Sequence, residues 1–220
     1  MRSQKKAMRV MVGVLISFVL VSFCEPVPAR VPDTLSPLSV FSTEWDKPEY
    51  RVCNTAADAS FLSEPEKQII YVLNLARANP PLFTKTVIEK YPSFMGRSDL
   101  TSSDYYITLR ATMRNRKPLP LLQPDLRLYE SAHCHAVSSG ERGYVGHNRK
   151  TSECKDVKYF FGECCQYGYD DPLKVVMALL IDEGVPSLGH RDILLSPYNK
   201  IGVSLQPHRS YRWNAVLDLE

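Results

Sequence analysis

Histidines and carboxylates cluster in three short stretches of this chain, each next to a glycine. His190 follows Gly189 in Gly184-Val185-Pro186-Ser187-Leu188-Gly189-His190-Arg191-Asp192-Ile193-Leu194, directly after an apolar helical segment whose last turn is read to hold Asp182 and Glu183. His147 follows Gly146 in a glycine-bearing loop, and Glu163 follows Phe160-Phe161-Gly162 on a predicted strand. Two imidazoles and two or three carboxylates, delivered from separate loops and element ends, are ligand types that divalent metals such as zinc accept.

Each residue also has a plainer reading. A lone loop histidine is most often simply exposed, and His147 gains weight as a ligand only because His190 accompanies it. Glu163 sits in apolar company, where an ionised carboxylate is costly unless paired or metal-bound; the alternative is an edge strand that turns it to water. Asp182 lies three residues after Leu179 and seven after Val175, which puts it on their helical face; the alternative is a solvated charge at a helix C-terminus, where an acid opposes the helix dipole. Ser187, three residues before His190, invites a Ser/His hydrolase reading. No G-x-S-x-G turn surrounds it, so nucleophilic catalysis is not expected. His133 and His208 have no readable role.

The elements that must position these residues are legible in part. Ser63 with Glu66 forms a capping box opening a helix in which Ile69, Leu73 and Ala76 recur, and Asn79-Pro80-Pro81 stops it. A second helix is expected over Leu82 to Lys90, ending before Pro92, and another over Tyr105 to Met113. Pro124-Asp125 opens a helix from Leu126 to Ser138. Tyr159 to Tyr167 reads as extended. Asp171-Pro172 caps a helix carrying Val175, Val176, Leu179 and Leu180, with Gly184 suited to its C-terminal turn. Ile201 to Gln206 and Tyr211 to Leu219 alternate like two antiparallel strands joined across Pro207 to Ser210. Helices first and paired strands last predict an α+β fold.

The order Gly146-His147, Gly162-Glu163, a helix ending acidic, then Gly189-His190-Arg191 resembles the CAP superfamily, or SCP domain, from about Pro65 to Leu219. That family takes in cysteine-rich secretory proteins, venom allergens, pathogenesis-related proteins and bacterial secreted members; this chain resembles the bacterial type. The resemblance implies an α-β-α sandwich with a central antiparallel sheet between helical layers. It implies a cleft tetrad of His147, Glu163, Asp182 and His190, with His147 and His190 as metal ligands; Glu183 and His135 are supporting candidates. Two departures stand out. Cys164 follows Glu163 where the family usually has asparagine, and Leu179 stands where many relatives have tryptophan.

At 220 residues, 44% hydrophobic and 23% charged, the chain suits one globular domain with an adequate core. A net charge of +3 argues against nucleic acid, and the run Arg110 to Lys117 reads as a solvated face. Residues 1–29 read as a signal peptide: Arg2, Lys5, Lys6 and Arg9 precede an apolar run from Val10 to Phe23, with cleavage after Ala29. The rival is a lipoprotein signal with Cys24 lipidated, which would be the one route to a membrane. Either way the chain is expected to be exported, secreted or held in the cell envelope. Residues 30–60, rich in Pro, Ser and Thr, are expected as a flexible arm or linker, and 61–220 as the CAP/SCP domain. Once Cys24 is removed, Cys53, Cys134, Cys154, Cys164 and Cys165 remain, an odd set that leaves a free thiol. Cys154–Cys164 or Cys154–Cys165 is the favoured local pairing.

Three functions fit this pattern. The leading one is a binding module for a lipid, sterol or extracellular macromolecule, with a divalent cation such as zinc in the cleft. The others are a metal-dependent, peptidase-like hydrolase and a surface interaction protein with a vestigial cleft. The balance lies against an enzyme.

Overall fold

Ile69, Ile70, Val72, Leu73, Leu75 and Ala76 form a run that is apolar on every side, which suits a helix enclosed by the rest of the protein. In a computed structural model describing residues 35–220, that run lies in α2. The helices are α1 (Pro48–Arg51), α2 (Glu64–Ala78), α3 (Pro80–Thr86), α4 (Tyr91–Met95), α5 (Asp104–Arg114), α6 (Leu126–Arg142), α7 (Ser152–Asp156), α8 (Pro172–Ile181) and α9 (Gly189–Leu194). The strands are β1 (Gln123–Pro124), β2 (Gly162–Tyr167), β3 (Lys200–His208) and β4 (Arg212–Leu219), in sheet order β1-β3-β4-β2. The expected signal peptide, with its Cys24 alternative, lies outside the described residues. Among the described residues no helix is long and apolar enough to cross a membrane.

Alternation along β4 builds two layers on the sheet. Ala215, Leu217 and Leu219 join the main core, which includes residues of α2 and α8, while Val216 packs with Ala132 and Ala136 of α6. Helices therefore cover both faces, and the expected α+β sandwich is present. The sheet is not wholly antiparallel, because the two-residue β1 pairs in parallel with β3. On the α6 face the helix lies almost on the sheet backbone: a Cβ placed on Gly202 would come within 2.1 Å of Leu128 and Tyr129 backbone atoms.

The Ser63–Glu66 capping box, the stop at Asn79 and the Asp171 cap are all formed. Three helices are bounded differently from expectation. The second helix starts at Pro80, where the Asn79 side chain accepts from Leu82 N–H, and Pro92 lies in the first turn of α4 rather than ending a helix. α6 runs on to Arg142 and stops at Gly143 in the left-handed region. α8 ends at Ile181, one residue before Asp182.

Residues 35–60, expected as a flexible arm, instead pack into the core. Leu38, Phe41, Trp45, Tyr50, Cys53 and Ala56 are buried, and Trp45 Nε1 donates to Thr86 Oγ1 at 3.0 Å. Asn74 of α2 ties the segment down, donating from Nδ2 to the Cys53 and Leu122 carbonyls and accepting from Leu122 N–H at 2.8 Å. Turns, one short 3-10 helix and the four-residue α1 carry these side chains, so their spacing has neither helical nor strand period. Burying each large one contributes about 1.5–3 kcal/mol.

Candidate functional site: two histidine–carboxylate pairs

Glu163 lies on β2 opposite Asp218 of β4 and faces α6, with its side chain only 2% exposed. His147 reaches it from the loop after α6, Nδ1 to Oε1 at 2.9 Å. That loop is fixed at Gly146, whose N–H donates to the Tyr167 hydroxyl and whose carbonyl accepts from His135 Nε2, both at 2.9 Å. Gly146 has φ +89°, a conformation in which most other residues are strained. A disulfide between Cys134 of α6 and Cys154 of α7 closes the segment carrying His147. The expected Cys154–Cys164 or Cys154–Cys165 pairing is not formed. Cys164 and Cys165 point to opposite faces of β2, both buried, and with Cys53 they are free thiols.

The second pair comes from the other face of β2. Asp182 is not on the helical face expected for it; it caps α8 in the left-handed region at φ +60°, where a short polar side chain is tolerated. From there its Oδ1 lies 2.7 Å from His190 Nδ1, while Oδ2 accepts the backbone N–H of His190 at 3.0 Å and of Arg191 at 3.3 Å. It thereby does the capping that Leu188, the residue before α9, cannot do. Buried Arg191 locks the same junction, donating to the Leu180, Ile181 and Tyr105 carbonyls.

The two imidazoles meet beside β2, the last strand of the sheet, with ring centroids 6.1 Å apart. The four residues expected as a tetrad are thus brought together as two His–carboxylate pairs. Glu183 is not among them: it is exposed, 3.4 Å from Arg97. His135 is fully buried beneath His147, and burial holds its imidazole below its ordinary pKa. Beside His190 a groove of about 420 Å³ is walled by Tyr91, Met95, Leu100, Tyr169, Leu179 and Val185.

Sequence reasoning missed the layer that holds Glu163. Arg149 Nη1 donates to Glu163 Oε2 at 2.5 Å, and its Nη2 reaches Asp218 Oδ2 at 3.2 Å and Ser131 Oγ at 3.1 Å. One guanidinium thus faces two buried carboxyl groups. Burial pushes Glu163 up, but His147, Arg149 and His135 outweigh it and hold the group below the usual carboxylate range. Asp218 goes the other way, pushed up to about 9 by burial and by the Glu163 charge. The arrangement is an ionised Glu163 matched to Arg149 and a protonated Asp218. Glu163 also raises the His147 pKa through its hydrogen bond. The available signals were an arginine two residues after His147 and an acid inside the apolar β4 pattern.

No protein-family model matches the chain, and no curated protein does. Among solved structures it is similar to an extracellular protein containing an SCP domain from Bacillus anthracis str. Ames, at 20% identity and a TM-score of 0.36. The alignment covers 53% of this chain and 39% of that one, so it spans well under half of that protein's length.

Proposed function

We propose that this is an exported protein of the CAP/SCP type whose cleft binds a divalent cation through His147 and His190 and serves as a binding module for an apolar ligand. One observation carries the reading: each imidazole has its Nδ1 on a buried carboxylate, Glu163 for His147 and Asp182 for His190. Among the described residues neither Nε2 has a hydrogen-bond partner. A carboxylate on one ring nitrogen fixes the tautomer and leaves the other as a lone-pair donor, the arrangement that supports metal-ligating histidines. A bound cation would supply a Lewis-acidic point at the end of the groove. The groove's aromatic and aliphatic walls suit a lipid tail or sterol, at a volume within the usual range for small-molecule sites.

The binding reading is preferred to a hydrolase because Glu163 and Asp182 are both engaged in orienting imidazoles, and neither is placed as a free general base. Calorimetric zinc titration tests the cation. His147→Ala and His190→Ala are each expected to weaken zinc binding at least tenfold and to be non-additive, while His208→Ala leaves it unchanged. Equal affinity in all four proteins would overturn the reading.

A further inference from the structure

Under His147 lies a second constellation. His135 of α6, Glu163 and Cys165 of β2 each bring one potential ligand atom within 4.8 Å of the others, and all three residues are buried. Two details point inward to a ligand. His135 commits Nε2 to the Gly146 carbonyl, so its Nδ1 carries the lone pair, and that buried atom has no hydrogen-bond partner among the described residues. Glu163 commits Oε2 to Arg149, so Oε1, the oxygen that lies 2.9 Å from His147 Nδ1, is the one it can turn to an ion.

A nucleophilic thiol is the obvious rival use of these residues, and the geometry argues against it. Cys165 Sγ stands 3.8 Å from His147 Nδ1, the same nitrogen that Glu163 occupies at 2.9 Å. An imidazole acting as base toward a thiol needs one nitrogen for the thiol and the other for its orienting acid. Here both claim one atom.

We propose that His135, Glu163 and Cys165 form an inner site for a thiophilic divalent cation of the zinc class, distinct from the outer His147/His190 position. Imidazole, carboxylate and thiolate are the donor types zinc takes, and three protein ligands leave one position open. On binding, the Cys165 S–H bond is replaced by a sulfur–metal bond and the proton passes to solvent. The Cys165 thiolate and the Glu163 carboxylate then face both the ion and the Arg149 guanidinium, so the filled site carries one net positive charge while Asp218 stays protonated. Because Glu163 serves both positions, an inner ion draws Oε1 away from His147 and removes that ring's orienting partner.

Cobalt(II) and zinc, each added alone to the full chain, test the proposal without presupposing the outer site. Cobalt should produce a near-ultraviolet thiolate-to-metal charge-transfer band. The band should vanish in Cys165→Ser and persist in Cys53→Ser, Cys164→Ser and His190→Ala. Its absence in the wild type, its survival in Cys165→Ser or its loss in His190→Ala would each overturn the inner site. If Cys165→Ser does not fold, zinc X-ray absorption on the wild type and on a Cys53→Ser/Cys164→Ser variant decides. Sulfur in the first shell at about 2.3 Å in both supports the site, and a shell of nitrogen and oxygen alone refutes it. Failure of the outer reading leaves a different trace, a sulfur signal with zinc affinity insensitive to His190→Ala.

Discussion

Asp218→Asn should flatten the pH dependence of stability while leaving the fold intact. Asp218 is fully buried, and its Oδ2 accepts from Ser131 Oγ at 2.6 Å. An asparagine amide has the same shape and mimics the protonated acid. The unfolded group titrates near 3.8 and the folded one is pushed up to about 9. Between those values the native state carries one proton that the unfolded state lacks, so stability falls as pH rises, by at most about 1.4 kcal/mol per pH unit. From about pH 5 to about pH 8 that reaches about 4 kcal/mol. His147, whose folded pKa is raised, adds a slope of the same sign above 6.5, and His135, whose pKa is lowered, adds the opposite slope below it. Both remain in the variant, so the difference between the two proteins isolates Asp218. Urea denaturation in chelator at a series of pH values measures it: the variant should gain on the wild type steadily as pH rises. Parallel stability curves would show that Asp218 is ionised in the native protein and that its assignment as the protonated partner of an ionised Glu163 is wrong.

Arg149→Met should cost about 3–5 kcal/mol by urea titration at neutral pH, because Glu163 is left buried without its guanidinium partner; a loss under about 1 kcal/mol would contradict the pairing. Gly202→Ala should be destabilised by about 3 kcal/mol, the upper end of the usual overpacking cost, since its new methyl group meets α6 backbone rather than a side chain that can move. Replacing Cys134 and Cys154 by serine opens a link between residues 20 apart and should lower stability by about 3 kcal/mol. A thiol assay on denatured, unreduced protein cleaved before Arg30 should count Cys53, Cys164 and Cys165 as free; a count of one would require a second bridge.

Three of the four outer-cleft candidates were legible from a local punctuation mark, the glycine before His147, Glu163 and His190; Asp182 was legible from its spacing to Leu179 and Val175. Long periodic elements such as α2, α6 and the β3–β4 pair were legible because their signal is repeated within one segment. What was hidden depends on contacts through space. Arg149 and Asp218 are 69 residues apart and become partners only once β2 is paired with β4. Cys134–Cys154 depends on where α7 docks against α6. Residues 35–60 bury aromatic side chains from turns, which leave no period to read. Asp182 was assigned to the apolar face of a helix that in fact ends one residue earlier, in a conformation that spacing does not encode.

The left-handed Asp182 has a consequence for how this protein can change over time. One of its oxygens is claimed by two backbone N–H groups at the start of α9, and the other by His190 Nδ1. Asparagine tolerates the same backbone conformation and can offer its single oxygen to the N–H groups. Its amide nitrogen then faces His190 Nδ1 as a donor, and the imidazole must carry its proton on Nε2, the atom assigned to the cation. A substitution one nucleotide away would therefore keep the helix junction and silence the proposed outer cleft. Unaltered melting together with lost zinc affinity in Asp182→Asn is the signature. A lineage could cross that step without passing through an unfolded intermediate, so relatives with an intact junction and a mute cleft are a natural product of drift in this architecture.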